Sequence, residues 1–167
     1  PGSIGGAVIM NTGCYGSDIS KVLISIKVLD KKNMMEKEIK KKDINFFYRG
    51  TNLPDNFIIL SAKLKSLIGN KKDIEKIQND FIERKKISQP SQIKTCGSTF
   101  KNVNNDKKAW MLIKEAGCTN YKVGDAEISK KHCNFFVNTG QAKSEDIENL
   151  VQKVQKRVNE KTGINLE

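Results

Sequence analysis

The sequence predicts an α+β protein, with a strand-rich part over about residues 1–69 and an α/β part over about 70–167. Three observations predict it. Apolar residues alternate along 22–29 and recur along 57–64, as strands with a buried face require. From Lys72 onward the spacing changes to the helical i, i+3, i+7, i+8, and a long helical stripe closes the chain. Gly69-Asn70 separates the two patterns and is too short to be a flexible linker. A chain of 167 residues makes one ordinary domain or two small ones. At this size roughly 70% of the unfolded chain's surface can be buried, so a real core is expected.

Residues 1–16 hold five of the twelve glycines, in Pro1-Gly2-Ser3-Ile4-Gly5-Gly6 and in Asn11-Thr12-Gly13-Cys14-Tyr15-Gly16, around the apolar run Ala7–Met10. Backbone of this kind can approach a ligand closely, and turn amides can form an anion-binding nest. The spacing is not that of a dinucleotide-binding G-x-G-x-x-G opening a helix, and tight turns explain it equally. Next, Val22, Ile24, Ile26 and Val28 define one face of a strand. Asp30-Lys31-Lys32-Asn33 is a turn signal, so Met34–Lys40 returns as the second arm of a hairpin. Phe57–Leu64 reads as a strand well buried at its start. Ile74, Ile77, Phe81 and Ile82 predict a helix with one buried stripe, ending before Ser88-Gln89-Pro90 because proline disfavours helix at the preceding residue. A short helix is expected over Lys107–Glu115, stopped by Gly117, and a short buried strand over Cys133–Asn138. Ser144 should cap the last helix, with Glu145 and Asp146 at its positive end and Gly163 as its stop. Ile147, Leu150, Val151, Val154 and Val158 form that helix's buried face.

Composition excludes several classes. The longest apolar run, Ala109–Ile113, is far short of the ~18 residues a membrane helix needs, and no export signal opens the chain. Net charge is +11, but only Arg49, Arg84 and Arg157 among 30 basic residues are arginine. Bidentate readout of bases and phosphates favours arginine. The charge is also evenly spread, +5 over residues 1–70 (11 basic, 6 acidic) and +6 over 71–167 (19 basic, 13 acidic). A solvated surface is therefore preferred to a nucleic-acid interface, while an anionic small substrate suits the charge. The cysteines, Cys14, Cys96, Cys118 and Cys133, form no C-x-x-C, and a single histidine leaves no zinc-ligand set, so no metal is expected. Reduced thiols in a cytoplasmic protein fit a chain of this length better than disulfides.

Several stretches, in order and across essentially the whole chain, resemble one enzyme family, the UDP-N-acetylenolpyruvoylglucosamine reductases. They are Pro1–Ala7 with Asn11 and Gly13-x-Tyr15-Gly16, then Phe46-Phe47-Tyr48-Arg49, Gln89-Pro90 and Gly97-Ser98-Thr99-Phe100-Lys101-Asn102. Further on come Leu112-Ile113-x-x-Ala116-Gly117, Gly124-x-Ala126-x-Ile128-Ser129, His132-x-Asn134-Phe135-x-Val137-Asn138 and Gly163-Ile164-x-Leu166-Glu167. Each motif alone is weak, and the set is strong. The resemblance implies a flavoenzyme of peptidoglycan synthesis in which NADPH reduces FAD and the flavin passes hydride to UDP-N-acetylglucosamine enolpyruvate, giving UDP-N-acetylmuramate. The implied fold places residues 1–69 in the C-terminal part of a vanillyl-alcohol-oxidase-type FAD-binding domain and residues 70–167 in an α/β substrate-binding domain.

Residue by residue, the resemblance assigns Arg49 as the catalytic arginine and Ser98 as the proton donor. Hydride addition to one alkene carbon leaves an enolate-like anion that needs a fixed cation and a proton donor on the correct face. Read alone, Arg49 is a surface ion-pair partner and Ser98 a turn residue. The resemblance further implies that Gly2, Ser3, Ile4, Gly5, Gly6, Ile9 and Gly13 line the flavin, and that Arg84 reaches flavin or substrate phosphates. Tyr15, Tyr48 and Asn102 are the implied substrate contacts. His132 falls in a family motif without an assigned role. The chain starts at Pro1, inside a motif, and stops at the first glutamate of the family's Leu-Glu-x-Glu. The expectation is therefore a fragment or processed product that holds little FAD by itself. A UDP-sugar-binding domain without catalysis and a basic nucleic-acid module stay open as alternatives, and oligomeric state is not readable.

Overall fold

The computed structural model describes residues 2–104 and 106–167; Pro1, the first residue of the glycine-rich motif, and Asn105 lie outside the described residues. The chain folds into two compact units, residues 1–75 and 76–167.

The first unit opens with α1 (Ile4–Ile9). The glycine-rich stretch thus holds a short helix that its composition did not suggest. Ser3 starts it by accepting the Gly6 amide at 3.1 Å, and fully buried Val8 anchors it. At Gly5 the helix passes close to Ile59, where a Cβ would stand in ordinary contact at 3.4 Å. Three hairpins follow: β1 (Gly13–Cys14) with β2 (Ser17–Asp18), β3 (Leu23–Asp30) with β4 (Met35–Lys40), and β5 (Phe46–Phe47) with β6 (Gly50–Thr51). β7 (Phe57–Leu64) then returns to the other side of β3, completing an antiparallel sheet of order β4-β3-β7. Val8, Leu23, Ile26, Val28 and Ile44 form the core.

The hairpin 22–40 forms as the sequence predicts, turned by Asp30, whose carboxylate accepts the Lys32 amide at 3.1 Å and whose carbonyl accepts the Met34 amide at 2.8 Å. Two details of the pattern fail. Ile24, expected inward with Val22, Ile26 and Val28, is 44% exposed, and Leu23 and Ser25 are buried in its place. The β3–β7 register shifts between Leu23 and Ser25, and a bulge of this kind carries one residue to the opposite face. β7 is not well buried at its start either. It is an edge strand packed on one face, so Ile58 and Leu60 point outward, each 47% exposed.

α2 (Lys71–Ser88) spans the division between the units. Asn70 starts it, accepting the Lys72 amide on its side chain and the Ile74 amide on its carbonyl, and the helix runs through Ser88, one residue past the expected end, before stopping ahead of Pro90. Its stripe is not buried: Ile74 is 52% exposed, Ile77 54%, Phe81 38% and Ile82 41%.

In the second unit, β8 (Lys94–Ser98), α3 (Ala109–Glu115), β9 (Lys122–Val123), β10 (Ala126–Ile128), β11 (Phe135–Asn138) and α4 (Ser144–Thr162) form a sheet of order β8-β11-β10-β9, antiparallel throughout, with both helices packed into one core. Leu150, Val154 and Val158 of α4 are fully buried, with Ile147 and Val151 at the core's edge, the face its spacing predicted. The cap is shifted by one residue. Lys143 takes that position, its amide donating to the Asp146 carboxylate at 2.8 Å, and Ser144 is the first helical residue. Gly163 ends α4 at φ 69°, and Gly117 follows α3 at φ 73°, both in the left-handed region that favours glycine. The expected strand 133–138 forms from Phe135, and the expected helix 107–115 from Ala109. Antiparallel sheets with helices set beside them make the α+β class that the sequence predicts.

Candidate functional site

In the first unit the structure brings Arg49, Tyr48, Gly13 and Tyr15 together on two tight hairpins. Tyr15-Gly16 turns β1 into β2 with φ of 50° and 79°, the two positive values that a type I′ turn demands. Gly13 is obligatory beneath it: a Cβ would lie 2.3 Å from the Ser17 carbonyl oxygen and 2.6 Å from the Asp18 Cβ. Tyr48-Arg49 turns β5 into β6 with Arg49 at φ 56°, the conformation of a type II turn's second central residue. Two side chains tie the hairpins together. The Arg49 Nη2 donates to the Gly13 carbonyl at 3.3 Å, and the Asn11 Nδ2 donates to the Phe47 carbonyl at 3.3 Å. The guanidinium also lies 5.3 Å from the Tyr48 ring centroid, within cation–π range. The result is an oriented cation held against the exposed Tyr48 ring and the carbonyl at the base of the hairpin that carries Tyr15, which is also exposed.

Gly2, Ser3, Ile4, Gly5, Gly6 and Ile9 sit on and before α1. Nothing lies within 4 Å of where a Gly2 side chain would begin, and Ile4 and Ile9 are 55% and 42% exposed. Ser3 spends its hydroxyl on the Gly6 amide.

Ser98, the other proposed catalytic group, belongs to the second unit. It ends β8 and lines a pocket of about 590 Å³ together with Lys94, Cys96, Phe136, Asn138 and Ile147. β8 is an edge strand with Lys94, Cys96 and Ser98 exposed, and its register against β11 shifts between the Thr95–Val137 and Ser98–Phe135 pairs, a bulge that turns Ser98 away from the face of Lys94. Thr95 locks the strand edge, donating its hydroxyl to the Phe136 carbonyl at 2.7 Å and accepting the Gly97 amide at 3.3 Å. Gly97, at φ 92°, supplies the bend before Ser98. Sequence reasoning missed Lys94 and Cys96 as pocket residues. No local signal marks them, because the sequence does not read as a strand there and the bulge in β8 breaks the simple alternation toward Ser98.

Asn102 is used structurally on one side: its side-chain oxygen accepts the Ala109 amide at 3.1 Å, opening α3. Arg84 lies on α2 with its guanidinium 6.0 Å from the Phe81 ring centroid. His132 is a half-buried packing group 4.9 Å from the Phe135 ring, edge to face, and burial pushes its imidazole below the usual value. Among the described residues no group of three or more His, Cys, Asp or Glu side chains is placed to hold a metal ion. Among them also, no helix is long and apolar enough to cross a membrane.

Residues 89–167 match the family described as UDP-N-acetylenolpyruvoylglucosamine reductase, C-terminal domain. The chain is 44% identical over 172 aligned residues to the UDP-N-acetylenolpyruvoylglucosamine reductase of Pelagibacter ubique (strain HTCC1062), covering 100% of this chain and 56% of that protein. It is 41% identical over 167 residues to the enzyme of the same name from Wolbachia pipientis wMel, again covering 100% and 56%. The crystal structure of the UDP-N-acetylenolpyruvylglucosamine reductase (MurB) from Thermus caldophilus matches with a TM-score of 0.84 at 32% identity, over 98% of this chain and 58% of that one. The chain spans a little over half the length of the curated relatives it matches.

Proposed function

We propose that the chain, whose residues 89–167 match the UDP-N-acetylenolpyruvoylglucosamine reductase C-terminal family and which is similar throughout to proteins of that name, is a member of the family and serves the NADPH- and FAD-dependent reduction of UDP-N-acetylglucosamine enolpyruvate to UDP-N-acetylmuramate, a cytoplasmic step of peptidoglycan synthesis. In this reading residues 1–69 are the C-terminal part of the FAD-binding domain and residues 70–167 the substrate-binding domain. The observation that carries it is Ser98 on the wall of the second unit's pocket, with Lys94 among the same lining residues.

Exposed Ile4 and Ile9, with the open approach to Gly2, fit the planar, largely apolar ring of a flavin. Gly5, Gly6 and Gly13 belong to the same lining, and Arg84 serves the phosphates. FAD, when bound and reduced by NADPH, supplies the hydride. The protein's own groups complete the addition. Arg49 carries a permanent charge toward the anion that develops on the substrate carboxylate and adjacent carbon, and its Gly13 and Tyr48 contacts set the direction of that charge in advance. Ser98 gives its hydroxyl proton to the second alkene carbon, and solvent returns a proton to the oxygen. Lys94, which lines the same pocket, lowers the cost of the transient alkoxide. Tyr15, Tyr48 and Asn102 orient the sugar nucleotide.

Stopped-flow absorbance tests this reading in a version of the protein extended at both ends to the length of its relatives and loaded with FAD, by following flavin reduction and reoxidation separately. Ser98→Ala should leave reduction by NADPH nearly intact and slow reoxidation by the enolpyruvyl sugar about a hundredfold or more, the usual worth of a positioned general acid. Arg49→Lys should also slow reoxidation, since a point charge does not reproduce the guanidinium fork. A Ser98→Ala variant with unchanged reoxidation would remove Ser98 from the mechanism.

A further inference from the structure

The hydrogen bonds around residues 98–100 converge on one buried side chain. β8 ends at Ser98, which pairs with Phe135 of β11. Beyond that point the ladder is continued by Asn134, which is 3% exposed. Its main-chain carbonyl accepts the Thr99 amide at 2.8 Å. Its carboxamide then meets Phe100 as a neighbouring strand would. The Phe100 amide donates to Oδ1 at 3.0 Å, and Nδ2 donates to the Phe100 carbonyl at 2.9 Å. Asn134 is itself held, because its own amide donates to Nδ1 of His132 at 3.2 Å. The His132 carbonyl accepts the Phe135 amide at 2.9 Å, so the ring is fixed to the start of β11.

Only a carboxamide satisfies this arrangement. A carboxylate presents a second acceptor to the Phe100 carbonyl, and an apolar side chain leaves a buried N–H and a buried C=O without partners. Phe100 is itself a core residue, 4% exposed and edge-on to Phe136 at 5.8 Å, so the turn is clamped from both sides. Ser98 leaves the sheet immediately before this clamp.

We infer that Asn134 is a positioning residue for Ser98, fixing the turn that keeps the serine hydroxyl on the pocket wall, with His132 holding Asn134 in register. The inference rests on the proposed role of Ser98 in proton delivery. It extends that role to a residue 36 positions away that touches neither pocket nor substrate.

The informative variant is Asn134→Asp, which is neutral and isosteric when protonated and repels the Phe100 carbonyl when ionised. By NMR on the 167-residue chain at pH 7, exchange protection of the Thr99 and Phe100 amides should fall about tenfold or more, with Leu150 and Val154 of α4 unchanged. Protection should recover relative to wild type at the same pH as the pH is lowered toward 5, because a buried carboxyl titrates above its ordinary value. Wild type at each pH corrects for His132. In the same extended, flavin-loaded protein, Asn134→Asp should slow reoxidation alone and add nothing in a Ser98→Ala background. Unchanged protection at Thr99 and Phe100, or losses that multiply in the double variant, would overturn the inference. If Ser98→Ala alone left reoxidation intact, the proton-donor reading would fail, while the exchange data would still judge Asn134's hold on the turn. Should Asn134→Asp unfold, His132→Phe removes one acceptor and keeps the ring contact. The same two amides should then lose protection by a smaller factor, and full protection there overturns the inference too.

Discussion

Two helices with similar apolar spacing should respond oppositely to truncation. Leu150 in α4 is fully buried in the second unit's core, whereas Ile77 in α2 is 54% exposed. Removing a buried leucine side chain costs about 2–5 kcal/mol, and with α3 and the sheet packed against α4 limiting collapse we take about 3 kcal/mol for Leu150→Ala. Burying an isoleucine completely is worth roughly 1.5–3 kcal/mol, so a half-exposed one forfeits about 1 kcal/mol on truncation. Alanine's better helix propensity returns a few tenths, leaving about 0.5 kcal/mol for Ile77→Ala. With a urea slope of about 1 kcal/mol/M for a unit of this size, the midpoints should fall by about 3 M and 0.5 M. Trp110, the only tryptophan, lies in α3, so its emission follows the second unit. Loss of the transition altogether in Leu150→Ala also agrees with the larger figure. A drop of about 2 M or more for Ile77→Ala would show the α2 stripe to be covered in solution, and a drop below about 1 M for Leu150→Ala would refute the core assigned to α4.

Gly13→Ala should break the β1–β2 hairpin, since both clashing partners are parts of that hairpin that have little room to yield; NMR should show the Tyr15 and Gly16 resonances displaced while those of α4 stay in place. The Lys32 amide, then the Asn56 and Lys37 side chains, hold the Asp30 carboxyl below its ordinary 3.8 against the opposing effect of burial. The stability it contributes is therefore complete above about pH 3.8 and lost as pH falls through the lower folded value, and Asp30→Asn should flatten that acid limb in urea melts followed at Ile26 and Val28. Burial holds His132 below 6.5, so the second unit's stability should be complete above about pH 6.5 and decline as pH falls toward the folded value. His132→Gln should remove that slope from the Trp110 melts. Duplex DNA should bind weakly, with no sub-micromolar affinity at physiological salt, and tight sequence-dependent binding there would contradict the reading of the +11 charge as solvated surface.

Periodicity made α4 and the hairpin 23–40 legible, because in both the buried face is set by neighbours close in sequence or by an unbroken repeat. It failed for α2, where the spacing states that one side is apolar but not what lies against it. It failed at Ile24, where a bulge created by the pairing with β7 turns the residue over; nothing local in 22–29 encodes the partner strand's register. The motifs brought Arg49, Gly13 and Tyr15 to attention, and the folded chain adds why they belong together: a guanidinium reaching 36 positions back to a carbonyl. β8 stayed hidden because Gly97 and Ser98 read as turn residues, and with it went Lys94 and Cys96. Asn134 was visible as a motif letter only. Its work depends on a contact across 34 positions that no spacing rule reports.

The left-handed turn at Arg49 sets selection for durability against selection for chemistry. A residue with a side chain held at φ 56° costs on the order of 1 kcal/mol relative to glycine, and Tyr15 at φ 50° sits under the same tax. Arg49→Gly or Tyr15→Gly would thus relax the backbone while deleting the groups that the proposed chemistry uses. Directed evolution of this chain for heat resistance alone should drift toward glycine or asparagine at both turns, so a library screened only by survival after heating would enrich for sturdy, inert proteins. Keeping arginine at 49 through such a screen requires that turnover be scored in the same round.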